Sequence, residues 1–154
     1  MQHKELVLGC DNAAVGLMQE IRNYLDEQSI PYTYVGVENE ADDTYYPRVA
    51  QKVAEEIIAS GYQKEGVLIC GTGIGMSITA NKFPGIYAAV CHDNYSAERS
   101  RLSNDANVIC MGARVIGPEL AKKILAEWLN LEFKGGRSQP KVDTIKEIEE
   151  KMYK

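Results

Sequence analysis

No CxxC pair occurs in this chain, and its four cysteines (Cys10, Cys70, Cys91 and Cys110) stand too far apart in sequence for a compact zinc cluster or a thioredoxin-type site. Histidine is scarce: His3 and His92 are the two present, too few for a histidine-rich metal site. Basic charge is in deficit, with 17 Lys and Arg against 22 Asp and Glu for a net charge of −5. That is the wrong sign for non-specific nucleic-acid binding, which draws on excess cations. No apolar run approaches the roughly 18 residues of a membrane span. The opening Met1-Gln-His-Lys-Glu5 lacks the basic-then-apolar layout of a secretory signal. The cytoplasm is therefore the expected compartment, with the cysteines as thiols. Neither metal nor cofactor, and neither nucleic acid nor membrane, is expected as a partner.

What remains is ordinary globular composition, 45% apolar and 25% charged over 154 residues. That length suits one domain, 1–154, with a core large enough to stand without disulfides. Short β-rich runs alternate with helical stretches. The runs are Glu5–Cys10, Tyr32–Gly36, Gly66–Cys70, Ile86–Cys91 and Asn107–Cys110. Several are almost wholly apolar, as strands buried on both faces should be. Helices are predicted near 13–28, 47–60, 75–82, 95–103, 118–130 and 141–153, with a loop-like break at Gly135–Pro140 before the last. This alternation predicts a Rossmann-like, doubly wound five-stranded parallel sheet in an α/β fold.

Four of the five runs end at a cysteine, and burial of a small apolar residue explains Cys10, Cys91 and Cys110. Cys70 is set apart by its C-terminal neighbours, Gly71-Thr-Gly-Ile-Gly75 and then a helix. Glycines allow a tight turn and close backbone approach, and a helix head offers free N–H donors with partial positive charge. The spacing fails the GxGxxG dinucleotide fingerprint, and Gly-Lys-Ser/Thr of a phosphate-binding P-loop is missing. A thiol at a helix head is a competent proton acceptor, and beside preorganised amides it can move a proton between carbons flanking a carbonyl. That is aldose–ketose isomerisation without a cofactor. A nucleophilic thiol would want a paired histidine, and none is obvious. His92 reads as structural, and Asp11 and Asn12 could also cap the first helix.

Together these residues resemble the ribose-5-phosphate isomerase B family, which includes the galactose-6-phosphate isomerase subunits. The resemblance rests on Gly9-Cys-Asp-Asn-Ala13, Tyr46-Pro47, Cys70–Gly75, Ala80–Gly85, Asp93 with Tyr95-Ser-Ala97, Asn104–Val108, Gly112–Gly117 and Gly135-Gly-Arg137. It implies a homodimer or homotetramer with the active site between two subunits and the helix near 141–153 packed on the partner. It implies Cys70 as the proton-shuttling base and Thr72, with the amides of Gly71, Gly73, Ile74 and Gly75, as the anion hole. By position, Asp11 would contact sugar hydroxyls or the ring oxygen, Asn104 would bind a hydroxyl and Tyr46 would line the pocket. Arg137 would hold the phosphate with Lys141, which stands where the family has a second arginine, and Arg114 would support it.

Three departures stand out. Asn12, Ser103 and Ser138 occupy places where family members commonly carry histidine. Asn12 and Ser103 would still line the substrate site, but serine is a poor general acid near neutrality. In the family the histidine at the Ser103 position is thought to open the furanose ring. The expected substrate pair is ribose 5-phosphate with ribulose 5-phosphate. One alternative is erythrose 4-phosphate with erythrulose 4-phosphate: a tetrose 4-phosphate cannot form a furanose, because the hydroxyl it would close with is esterified, so it needs no ring opener. A hexose phosphate and a non-catalytic sugar-phosphate-binding subunit are further alternatives. A redox thiol protein is a weaker option.

Overall fold

The computed structural model describes residues 3–153. Five strands alternate with helices: β1 Leu6–Cys10, α1 Val15–Glu27, β2 Tyr32–Tyr34, α2 Tyr46–Ala59, β3 Glu65–Cys70, α3 Ile74–Ala80, β4 Ala88–Val90, α4 Asn94–Leu102, β5 Val108–Gly112, α5 Pro118–Leu129 and α6 Gln139–Met152. All strand pairs are parallel, in the order β2-β1-β3-β5-β4. The predicted α/β sheet is present, with element ends shifted by a few residues. The break expected at Gly135–Pro140 is partly helical instead: Gly136–Ser138 forms a 3₁₀ turn and α6 starts at Gln139. The cause is Pro140, whose fixed φ and missing N–H suit the first turn of a helix.

The central strands explain the near-continuous apolar runs. Every residue of β1 and β5 is buried, as is β3 after Glu65, because helices cover both faces. α2 packs on α3 and on β1 and β3, whereas α5 bridges α1 and α4. The edge strands β2 and β4 are half-buried and short. The core runs from Leu6, Leu8 and Ile21 through Leu68 and Ile69 to Ile109, Ile124 and Trp128.

The chain leaves β1 toward β2 on one side and reaches β3 on the other. Strand order thus reverses between β1 and β3, and the crevice beyond their C-terminal ends is where open α/β sheets bind ligands. Asp11 comes directly after β1 and Cys70 ends β3, so the topology alone brings these two together. α6 lies away from that crevice. It buries Val142, and Glu149 accepts from Gly85 N–H at 2.9 Å and from the Tyr87 hydroxyl at 2.7 Å. Its Ile145, Ile148 and Met152 are exposed.

Candidate active site

The loop after β3 is built around its cysteine. Gly73 has φ +78°, and a side chain there would press on the Met111 backbone of β5, so glycine is required on both counts. This turn aims the Gly73 N–H at Cys70 Sγ, 3.1 Å away. Such a bond strengthens when the acceptor carries charge. Cys70 is 6% exposed, whereas Cys10, Cys91 and Cys110 are at most 1% exposed. All four are free thiols. Burial pushes Cys10 up to about 11, and it also pushes Cys91 and Cys110 up. The three cysteines read as structural are therefore inert core groups.

Thr72 is exposed, and its Oγ1 accepts from Ile74 N–H at 3.3 Å. The first backbone bond of α3 runs from Ser77 N–H to Gly73 O. Gly75 lies ahead of it in the first turn and has no helical carbonyl to bond. The expected anion hole is thus narrower than anticipated, because the Gly73 and Ile74 amides are engaged by the loop's own side chains. Gly75 has a second role, since any β-carbon there would collide with the Tyr46 ring of α2. Arg114 lays its guanidinium against Gly71, with Nη1 3.1 Å from where a β-carbon would sit.

Asp11, Asn12, Tyr46, Cys70, Gly71, Thr72, Ile74, Gly75 and Arg114 line one cleft of about 480 Å³ at the switch point, together with Ala13 and Ile78. A neighbouring hollow of about 390 Å³ shares Asp11, Asn12 and Tyr46 and extends to Asp43, Thr44 and Tyr45. Asp11 does not cap α1. The N-cap is Ala14, without a side-chain bond, and Asp11 Oδ1 accepts from Ala13 N–H at 3.1 Å inside the preceding turn. One carboxylate oxygen is tied to the loop, and the group faces the cleft.

The other expected residues lie elsewhere. Ser103, Asn104, Arg137 and Lys141 line a separate cavity of about 530 Å³ between the end of α4 and the 3₁₀ turn, together with Arg99 and Ser138. The fourteen site residues thus fall into two groups within one chain, the thiol in one and the Arg137–Lys141 pair in the other, with Gly73 beneath the first as the hinge of its loop. Arg99 was not singled out from sequence. Its signal was the four-residue spacing to Ser103, which puts both on one helical face. His92 is structural as expected: Nε2 accepts the Gly112 N–H at 2.8 Å, and burial lowers its pKa against the opposing pull of Asp93. No group of three or more His, Cys, Asp and Glu residues placed to hold a metal ion occurs among the described residues. No helix there is long and apolar enough to cross a membrane.

A buried cysteine under a glycine loop, at the switch point of a doubly wound sheet, defines a class of ligand clefts in which a thiol sits beside backbone N–H donors. Comparison with known proteins narrows it. The Ribose/Galactose Isomerase family model matches residues 6–145. The Ribose-5-P isomerase B of Listeria innocua serovar 6a is 51% identical over 148 residues, covering 96% of this chain and 98% of that protein. The D-erythrulose-4-phosphate isomerase of Pectobacterium atrosepticum is 49% identical over 140 residues, 91% of each. The structure of Clostridium thermocellum ribose-5-phosphate isomerase B superposes with a TM-score of 0.91 at 40% identity, covering 96% of this chain and 99% of that one. The chain belongs to the ribose/galactose isomerase family and is a sugar-phosphate isomerase, an intramolecular oxidoreductase.

Proposed function

We propose that this chain interconverts an aldose phosphate and its ketose through an enediolate, with Cys70 as the single base. Cys70 Sγ takes the proton from C2 of the open-chain aldose. The C–H electron pair becomes the C1–C2 double bond, and negative charge gathers on O1, facing Thr72 and the Gly75 amide. Cys70 returns the proton to C1, O2 becomes the carbonyl oxygen, and its proton passes to O1. The observation that carries this reading is the Gly73 N–H donated to Cys70 Sγ at 3.1 Å at the floor of a cleft. A sulfur held there is reachable from the cleft yet screened from bulk water. Asp11 and Asn12 face the sugar hydroxyls, and Tyr46 walls the cleft.

The first-choice substrate pair is ribose 5-phosphate and ribulose 5-phosphate. A four-carbon pair, erythrose 4-phosphate and erythrulose 4-phosphate, is the second reading. One observation favours it: position 103 is a serine, which does not titrate near neutrality, and Arg99 occupies its oxygen, which then cannot take a proton from a ring hydroxyl. Relatives of nearly equal identity are named for each pair. A non-catalytic binding subunit fits less well, because the thiol and its loop are complete. Side-by-side kcat/KM on the two aldose phosphates decides between the substrates.

The division of the site residues between two cavities supports a site shared by two copies. In a two-fold dimer, the Cys70 cleft of each subunit would meet the Arg137–Lys141 cavity of its partner. Ile74, Ile78 and Val115, exposed beside the cleft, would be covered by that contact. The outward Ile145, Ile148 and Met152 of α6 suit the same partner. Mixing tests this reading. Cys70→Ala and Arg137→Ala proteins, each inactive alone, should regain about a quarter of wild-type activity after equal mixing and exchange, since about half the dimers would be mixed and carry one intact site of two. No recovery would place thiol and phosphate site in one chain.

A further inference from the structure

The cavity at the end of α4 holds more positive charge than the resemblance accounts for. Arg99, Arg137 and Lys141 line it together with Ser103, Asn104 and Ser138, and no carboxylate is among its lining residues within the described part of the chain. This occurs in a chain whose overall charge is −5. Three cations lining one cavity repel one another, Arg99 being offset in part by Glu98 at 3.5 Å, and an anion bound among them would lower that cost.

Arg99 is also held in a defined place. Its Nε and Nη2 donate to Ser103 Oγ at 2.9 Å and 2.7 Å, and Nη1 reaches Glu98 Oε2 at 3.5 Å. A guanidinium has five N–H donors, so this arrangement leaves donors for an oxygen-rich ligand. A pinned guanidinium with N–H groups to spare is well prepared for a phosphate monoester. Favourable interaction with the end of the α4 dipole would explain an arginine in the last turn. It does not explain why the fork reaches the hydroxyl that borders the cationic cavity.

We propose that Arg99 is a further phosphate-binding residue of this isomerase, acting with Arg137 and Lys141. Its fork on Ser103 turns that serine into a fixed O–H donor toward the substrate, because both N–H groups approach the oxygen and leave the hydroxyl proton free to point away. Lys141 supplies charge without a planar fork, and Arg99 adds the remaining N–H groups of its Nη1 and Nη2, outside the Nε–Nη2 edge spent on Ser103. The inference rests on the aldose–ketose phosphate reading above for its substrate, but its ligand chemistry, a phosphate monoester, can be tested apart from turnover.

The test compares wild type, Arg99→Leu and Arg99→Lys in two measurements. The first is calorimetric titration with inorganic phosphate. The second is steady-state kinetics on ribose 5-phosphate and erythrose 4-phosphate. Arg99→Leu should weaken phosphate binding about tenfold or more and raise KM for turned-over sugar phosphate by a similar factor, with kcat changing by less than about threefold. Arg99→Lys should recover part of the loss, since charge returns without the fork. A role confined to helix stability would lower Tm and leave phosphate affinity unmoved. Phosphate Kd and KM within about twofold of wild type in Arg99→Leu would overturn the proposal. If wild type turns over neither sugar phosphate, the isomerase reading fails, and the phosphate titration still decides the role of Arg99.

Discussion

Arg101 and Glu65 form a buried ion pair that ties the start of β3 to the last turn of α4. Glu65 opens β3, whose far end is Cys70. Arg101 sits in the last turn of α4, just before Ser103 and Asn104. The fork is bidentate, with Nη1 to Oε2 at 2.6 Å and Nη2 to Oε1 at 2.8 Å, and the side chains are 6% and 13% exposed. Arg101 also donates to the carbonyls of Trp128 at 3.0 Å and Ala106 at 2.8 Å, and its guanidinium stacks 3.5 Å from the Trp128 ring centroid. Arg101→Met removes every one of these donors and leaves the Glu65 carboxylate largely desolvated. Breaking a buried pair from one side costs about 3–5 kcal/mol. At about 2–4 °C of Tm per kcal/mol for a chain of this size, Tm should fall by about 6–20 °C. Calorimetry or thermal circular dichroism reads it. The double variant Arg101→Met/Glu65→Met should regain about half the loss, because the stranded charge is gone while the two carbonyls stay unpaired. A loss under about 1 kcal/mol in the single variant would show that water already solvates the pair. A double variant no better than the single would show that the stranded carboxylate is not the cost.

Three other perturbations have defined outcomes. Cys70→Ala should lower kcat by about 10²–10⁴ while KM changes little, and wild-type kcat in steady-state assays would remove the thiol from the chemistry. Gly75→Ala places a methyl group against the Tyr46 ring; it should cut kcat/KM, and Tyr46→Ala in the same chain should recover part of the loss, whereas no recovery would mean that the ring is not what the methyl displaces. His92 is held below its ordinary pKa by burial, so the folded state binds the proton less readily than the unfolded one. Its contribution to stability is full above about pH 6.5 and is lost as pH falls below that. Tm should therefore decline from pH 7.5 to pH 5.5 more steeply in wild type than in His92→Gln, and parallel profiles would refute the role given to the Gly112 N–H bond.

The sheet was legible because its physics is local. Apolar runs of strand length, separated by helical periodicity, leave few alternatives to a parallel α/β layer structure. The Cys70 loop was legible for the same reason: a thiol, three glycines and a helix head lie within one short segment, and backbone geometry alone makes them a unit. Pro140 reads from sequence as part of a loop, because the same residue breaks a chain or starts a helix according to the residues on its C-terminal side.

Contacts between distant segments were not legible. Nothing in the sequence pairs Arg101 with Glu65, 36 positions away, or directs His92 to a backbone amide of β5. An arginine in a polar helix reads as solvated until packing shows what it faces, and Arg99 became a candidate ligand only when Ser103, Arg137 and Lys141 were found around the same cavity. The separation of Cys70 from Arg137 and Lys141 into two cavities likewise comes from strand order and from the path of the chain after α5. Sequence periodicity determined which residues would be buried and which loop would carry the cleft thiol. Tertiary structure alone decided which charges meet, because burial and pairing depend on distances through space that spacing along the chain does not encode.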